Sequence, residues 1–384
     1  MDSIFGIVVV FLCFGFIIFV HELGHFIMAR RVGIRVHEFA LGFGPILLSK
    51  KKGDTLYALR AFPFGGFVSM DGEDDKPCED PDDAGNFQNK TPWQKIKVIA
   101  AGPIMNYVVA IMIFIIVGFV FGVGEMYLKP KVGKVLDNTP AQAIGLQTGD
   151  LIVSIDSEPV TDGIALIEKV HANCGQELTI KIKRGENFFT RKVTPVPMTK
   201  QGAYSADSKT LKDEDYVKTS DGKLIGVIGF QPDTKAMDMR FNRVAPGAVI
   251  IDTFDKTLRF SASPFLAVAF IVQGKMKAKD VAEGSAGPVG IGQMFFEMYK
   301  KGFASLLYFI AMINILIGVF NLIPFPALDG ARIAVIAFIG LTKKQVDPNK
   351  EGMVHWVGFC ILIVLVIFFT YNDIMRLVKG ISFF

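Results

Sequence analysis

Within the stretch "FVHELGHFIMARR" (residues 19–31), His21 and His25 lie four residues apart, with Glu22 beside the first. On a helix that spacing puts both imidazoles on one face, where their Nε2 atoms can address one metal ion and a neighbouring carboxylate can serve as general base. With 5 histidines in 384 residues, a chance H-E-x-x-H arises on the order of a few times in a thousand, so the motif is specific. A catalytic zinc needs a third protein ligand and an open position for water. His37 and His171 lie in polar segments and His355 heads an apolar one. Asp329, in "VFNLIPFPALDGAR", is the better candidate, because it follows an apolar run broken by Pro324 and Pro326. Backbone unwound at membrane depth is tolerable only where it packs in protein or lines a cavity, and a carboxylate there suits zinc.

These residues depend on elements set by hydropathy. The chain is 51% hydrophobic with mean hydropathy +0.40, which identifies an integral membrane protein. Ile4 to Val20 carries no charge, but at 1.5 Å per residue it reaches only ~26 Å, short of the ~30 Å hydrocarbon core. The helix must continue to Arg30-Arg31, which puts His21 and His25 roughly 13 and 7 Å before the basic end, inside the bilayer. A secretory signal peptide is the competing reading, but no basic n-region and no A-x-A site precede His21, so the segment reads as a permanent span. Further spans are expected at Ile99–Val123, Phe303–Leu322 and Met353–Tyr371, the second interrupted at Pro103 and carrying Asn106. Trp356 and Tyr371 read as interface anchors of the fourth. Arg30, Arg31, Arg35 and Lys50–Lys52 follow the first span, whereas only Asp2 precedes it. This bias predicts both termini outside and residues 32–97 in the cytoplasm, although Lys300, Lys301, Arg376 and Lys379 lean the other way.

Between the spans, "TLYALRAFPFGGFVSM" (55–70) reads as strand with a bend at Gly65-Gly66, and an acidic patch follows at Asp71 to Asp83. Residues 129–196 turn soluble in composition and read as a small α+β module. The stretch 198–260 is polar and loop-rich apart from a strand, "KLIGVIGF". Phe265–Val272, eight apolar residues leading to "KMKAKD", is too short to span and reads as an interfacial amphipathic helix. Four cysteines without CxxC spacing indicate neither a disulfide framework nor a thiolate metal site. With 41 basic against 37 acidic residues and no basic stripe, nucleic acid is not an expected partner.

"HELGH" in the first span, "GPIMN" (102–106) in the second and "NLIPFPALDG" (321–330) after the third resemble the site-2 protease family of intramembrane zinc metalloproteases. "FPFGGFVSMDGED" and "SAGPVGI" fit the RseP-like bacterial branch. "PAQAIGLQTGDLIVSID" resembles a PDZ domain of the circularly permuted bacterial type, present here once where some members have two. The resemblance implies a polytopic α-helical protein of four transmembrane helices, with a membrane-associated β-hairpin and an inserted extracytoplasmic α+β PDZ-like domain. The expected segments are 1–31 (first span), 32–97 (cytoplasmic, with the hairpin), 98–124 (second span) and 127–198 (PDZ-like). A linker (199–300), the third span with its LDG motif (301–331), a cytoplasmic loop (332–352) and the fourth span (353–384) follow.

By that resemblance one Zn2+ is held by His21, His25 and Asp329 with Glu22 as the base. Asn321 and Asn106 would hold substrate or oxyanion, and Gly65, Gly66 and Phe67 would belong to a hairpin receiving extended substrate. The implied activity is intramembrane zinc metalloendopeptidase, acting in the bacterial cytoplasmic membrane near its cytoplasmic side. Its implied partners are membrane lipid, single-span proteins such as an anti-sigma factor, or signal-peptide remnants, and a peptide ligand of the PDZ-like domain. A non-proteolytic PDZ scaffold is a rival reading, but no ligand or base position is substituted. A metal transporter is another, but it needs polar residues along several spans, and the second and fourth offer almost none.

Overall fold

The computed structural model describes residues 2–73, 80, 82–199, 216–219, 221–233, 237–274, 285–343 and 347–378. The chain forms two compact units, one built from residues up to Gly124 and from Phe241 onward, the other from Glu125–Arg240.

In the first unit, four helices are long and apolar enough to cross a membrane, as the hydropathy pattern requires. They are α1 (Asp2–Arg31), α2 (Pro92–Val120), α7 (Phe303–Leu322) and α9 (Pro348–Val378). Helix α2 starts seven residues before the expected Ile99, because Thr91 and Gln94 close a capping box, and it runs through Pro103 without ending. Small residues bring the helices together. A Cβ on Gly24 of α1 would fall 2.2 Å from the Ala101 carbonyl oxygen of α2, and one on Gly318 of α7 would fall 3.0 Å from the Tyr107 ring. Helix α9 is largely unburied, but its Asp373, 1% exposed, accepts from the Gly287 and Gly290 amides. That carboxylate caps α6 (Pro288–Lys300), which has no side-chain cap of its own.

Two expectations about this unit fail. The eight residues Phe265–Val272 are only the last part of α5 (Pro246–Val272), whose polar first half is braced by the i,i+4 pairs Asp252–Lys256 and Asp255–Arg259. The expected loop 332–352 contains most of α8 (Asp329–Thr342). The "KMKAKD" stretch (275–280) lies outside the described residues.

The segment between the first two spans holds a hairpin longer than the 55–70 stretch suggested. Strand β1 (Val36–Lys52) and strand β2 (Thr55–Met70) turn at Gly53. Both strands fold back on themselves, so Ala40 faces Phe67 on one side and Ala58 on the other. Gly42, Gly44 and Gly65 supply left-handed φ values of 87°, 85° and 85° for these bends. Gly65-Gly66 is therefore a bend inside a strand, and the outer edge of 66–70 is unpaired among the described residues. Arg35 bonds both Asp71 and Asp83, so the acidic patch is fastened at both ends.

The second unit holds a four-stranded antiparallel sheet in the order β6 (Glu158–Pro159), β5 (Leu151–Ile155), β7 (Leu178–Arg184), β8 (Asn187–Val193). The short α3 (Pro140–Ala143) and α4 (Gly163–Ala172) complete a core around Ile152, Ile155, Leu166 and Ile180. Strand β3 (Val123–Leu128) pairs with β12 (Met237–Asn242). The unit runs past the expected end at 198, because β9 (Val196–Pro197) pairs with β10 (Gly226–Val227) and β4 (Val132–Val135) pairs with β11 (Phe230–Pro232). "KLIGVIGF" is thus two short strands broken at Gly229, whose φ is 87°. Burial alone would raise the Asp150 carboxyl, 1% exposed, but the Arg184 guanidinium grips both its oxygens at 2.7 Å and holds it below the usual carboxylate range.

Candidate metal centre

Helix α1 carries His21 and His25 on one face, and their Nε2 atoms lie 3.2 Å apart. Asp329, the first residue of α8, brings Oδ2 to 3.1 Å from His21 Nε2 and 3.5 Å from His25 Nε2. The three side chains are 13%, 12% and 21% exposed. Of the five histidines and the carboxylates among the described residues, this is the one trio whose ligating atoms all lie within 4.8 Å of one another. Two imidazoles and a carboxylate match the donor set of a catalytic zinc, which keeps a fourth position open. Asp329 Oδ2 is buried against the two imidazole Nε2 atoms, as suits an oxygen that would share a cation with them.

The other histidines stay apart from this trio. His37 lies 3.8 Å from Asp71, and His171 belongs to the second unit. His355 of α9 accepts a hydrogen bond at Nδ1 from the Ala327 amide at 3.1 Å. Ala327 adopts φ 76°, a left-handed conformation unusual for a residue with a Cβ, two residues before Asp329. The loop is further pinned by Gly358 of α9, where a Cβ would lie 2.3 Å from Pro326, and by Gly330, where one would lie 2.3 Å from the Ile323 carbonyl oxygen.

Helix α2 supplies the support for α1, and most of it carries no signature in the sequence. Val98, Gly102 and Asn106 recur every four residues and so form one stripe. The Val98 carbonyl lies 2.9 Å from His25 Nδ1, and the Asn106 amide lies 3.3 Å from His21 Nδ1. Gly102 lies between them, and a Cβ there would fall 2.3 Å from His25 Nε2 and 2.9 Å from His21 Cε1. Asn106 was visible as the polar residue of the second span and, with Gly102, as part of "GPIMN", whereas the part played by Val98 rests on its backbone.

Of the three expected hairpin residues, Gly66 lies beside the base: a Cβ on it would lie 3.6 Å from Glu22 Cγ. Gly65 lies against the Phe43 ring, and Phe67 stacks on Phe43 at 6.2 Å beneath the Arg60 guanidinium. Asn321 donates to the Ile317 carbonyl of its own helix at 3.1 Å, so its amide is turned along α7.

Comparison with known proteins finds the family model described as peptidase family M50 matching residues 9–365. A Clostridium acetobutylicum protein bearing a zinc-metalloprotease name is 35% identical over 97% of this chain and 98% of its own length. The Bacillus subtilis regulator of sigma-W protease RasP is 29% identical over 95% of this chain and 97% of its own, and the Geobacillus kaustophilus zinc metalloprotease RasP 28% over 98% of each. A solved PDZ domain of an SdrC-like protein from Listeria monocytogenes covers 27% of this chain and 87% of its own at 21% identity, with a TM-score of 0.20.

Proposed function

The chain belongs to peptidase family M50, and from that premise we propose that it is an intramembrane zinc metalloprotease of the site-2 type, hydrolysing peptide bonds in or near the membrane spans of single-span proteins. The observation that carries the reading is the convergence of His21, His25 and Asp329 from two separate helices, with Glu22 on the next position of α1. His21, His25 and Asp329 hold one zinc ion, which when bound supplies Lewis-acid activation of water and of the scissile carbonyl.

Glu22 takes the proton from the attacking water and delivers it to the leaving amine. A peptide bond in a helical span is shielded and hydrogen-bonded, so the substrate must unwind first, and its freed backbone groups need partners in a water-poor site. The unpaired edge of 66–70 offers those partners as an added strand, and Gly66 lets it run beside Glu22. On the same reading Asn321 would hold substrate or oxyanion near the metal, and Phe67 belongs with Gly65 and Gly66 to the hairpin that receives the substrate. The polar residues lie at membrane depth because the scissile bond does.

The protein spans the bacterial cytoplasmic membrane with its termini and second unit outside, and the active site lies near the cytoplasmic face. The second unit is a PDZ-like domain. Its groove of about 190 Å3 between α4 and β10–β11, lined by Leu166, Val170, His171, Val227, Ile228 and Phe230, is open to an extended segment or excludes a bulky one. The Bacillus subtilis relative is named for regulation of sigma-W. Substrates here are of that general kind, single-span regulators such as an anti-sigma factor, or signal-peptide remnants.

The test is cleavage of a single-span substrate co-reconstituted with the purified protein in liposomes, with the products mapped by mass spectrometry. Cuts within the span that vanish with a zinc chelator and in Glu22→Gln support the proposal. Cleavage that persists in Glu22→Gln, or falls only in soluble segments, refutes it.

A further inference from the structure

The geometry points to Asn106 as a positioning residue that fixes the ring of His21 for metal binding, through its side-chain oxygen. This rests on the metal-centre reading above. A neutral imidazole carries one proton, and the nitrogen that keeps it cannot bind a metal. His21 presents Nε2 toward His25 and Asp329, at 3.2 and 3.1 Å, so with a metal on Nε2 its proton would sit on Nδ1, and the group facing Nδ1 would have to accept. That group is the side-chain amide of Asn106, 0% exposed, which stands with its Nδ2 3.3 Å from Nδ1 and must turn over by half a revolution about χ2 to present its oxygen there.

An amide has two ends with opposite roles. With its NH2 toward Nδ1 it would donate, force the ring proton onto Nε2 and block the ligand position. With its oxygen there it accepts from Nδ1–H and leaves the Nε2 lone pair free. The structure shows the first orientation, but among the described residues no hydrogen bond holds it, since the oxygen pointing away from His21 has no partner. The preference of a metal-bound His21 therefore decides the rotamer.

His25 shows the same arrangement with a group that can only accept: its Nδ1 lies 2.9 Å from the Val98 carbonyl. Both ligands thus take their tautomer from one stripe of α2, one from a backbone oxygen and the other from a side-chain oxygen. Asn106 acts on the chemistry through His21, a different role from holding substrate or oxyanion.

Two substitutions separate these roles. Asn106→Asp keeps an acceptor at Nδ1 and removes the donor that an oxyanion or substrate carbonyl would need. Asn106→Leu removes both. The readout is the zinc dissociation constant of the purified full-length protein in detergent, by chelator competition, alongside kcat and KM on a single-span substrate. Losing the partner of a ligating histidine typically weakens metal binding about 10- to 100-fold. Asn106→Leu is expected to show that loss and Asn106→Asp to stay within about threefold of the parent.

Asn106→Leu binding zinc as tightly as the parent overturns the inference, and so does Asn106→Asp weakened as far as Asn106→Leu. Should Asn106→Leu fail to insert, Asn106→Asp alone decides: zinc affinity at the parent level supports the positioning role, and a 10-fold loss refutes it. A parent that holds no zinc, or a His21→Ala variant that holds it undiminished, would instead bring down the metal-centre reading itself.

Discussion

Gly102→Ala adds one methyl group at the point where α2 passes the two histidines, and its effect can be worked from distance. The new Cβ would stand 2.3 Å from His25 Nε2, 2.7 Å from His25 Cε1 and 2.9 Å from His21 Cε1. Ordinary van der Waals contact begins near 3.4 Å, so His25 must retreat by about 1.1 Å or the helices must part by a similar amount. The rings cannot swing away freely, because both Nδ1 atoms are held by α2 itself. Separation of the helices would forfeit the close backbone packing of Gly24 on the Ala101 carbonyl. A displacement of 1 Å in a catalytic group costs on the order of 100-fold in rate, so kcat/KM on a single-span substrate should fall ~100-fold, with a matching loss of zinc affinity. The control is Gly352→Ala in α9, where an added Cβ meets nothing within 4 Å. It should leave turnover unchanged, since alanine is the better helix former. If Gly102→Ala keeps turnover within threefold of the parent, the close approach of α2 to the histidines is not what sets the site, and the stripe argument is wrong.

Three other expectations follow from the same geometry. Asp329→Ala should release most of the zinc that the parent retains through dialysis and reduce cleavage to background, because two histidines seldom hold zinc alone; full occupancy measured by metal analysis would move the third ligand elsewhere. His355→Leu removes the acceptor for the Ala327 amide and should cut kcat about tenfold, whereas His355→Asn, which offers an oxygen at much the same reach as Nδ1, should recover most of it; equal losses in the two variants would show that ring packing matters and the hydrogen bond does not. Replacing Glu125–Arg240 by a short linker should preserve cleavage and speed it for substrates with bulky extracytoplasmic parts. The cut ends are close, since a Cβ on Gly124 would lie 3.0 Å from the Phe241 ring, and no metal ligand is removed. A zinc-loaded, inserted but inactive deletion would show that the second unit helps organise the site.

What could be read in advance follows from what a one-dimensional pattern encodes. The apolar runs are long and nearly uncharged, so their number and order were legible. Helix α5 escaped because hydropathy sees only its last eight residues, while Asp252–Lys256 and Asp255–Arg259 stabilise the rest by polar pairing. The first strand of the hairpin escaped because its glycines break the period-two alternation, and its partners lie up to 34 positions away, as Val36 and Met70 do.

At the site the same division holds within a few ångströms. Two histidines four apart declare a shared face, because that face is a property of one helix. Asp329 could be nominated from its broken helix and from the "LDG" resemblance but not from spacing, since no rule of spacing links it to residues some three hundred positions earlier. The Val98 carbonyl could not be nominated at all, because every residue has one and only the crossing of α1 and α2 selects it. The stripe at 98, 102 and 106 becomes meaningful once α2 is known to face the histidines: the small residue falls where the rings are closest, and the groups that meet the two Nδ1 atoms fall one turn to either side. Site chemistry confined to one helix is written in its spacing. The orientation of that chemistry is set by the neighbouring helix, where a glycine matters for the atoms it lacks.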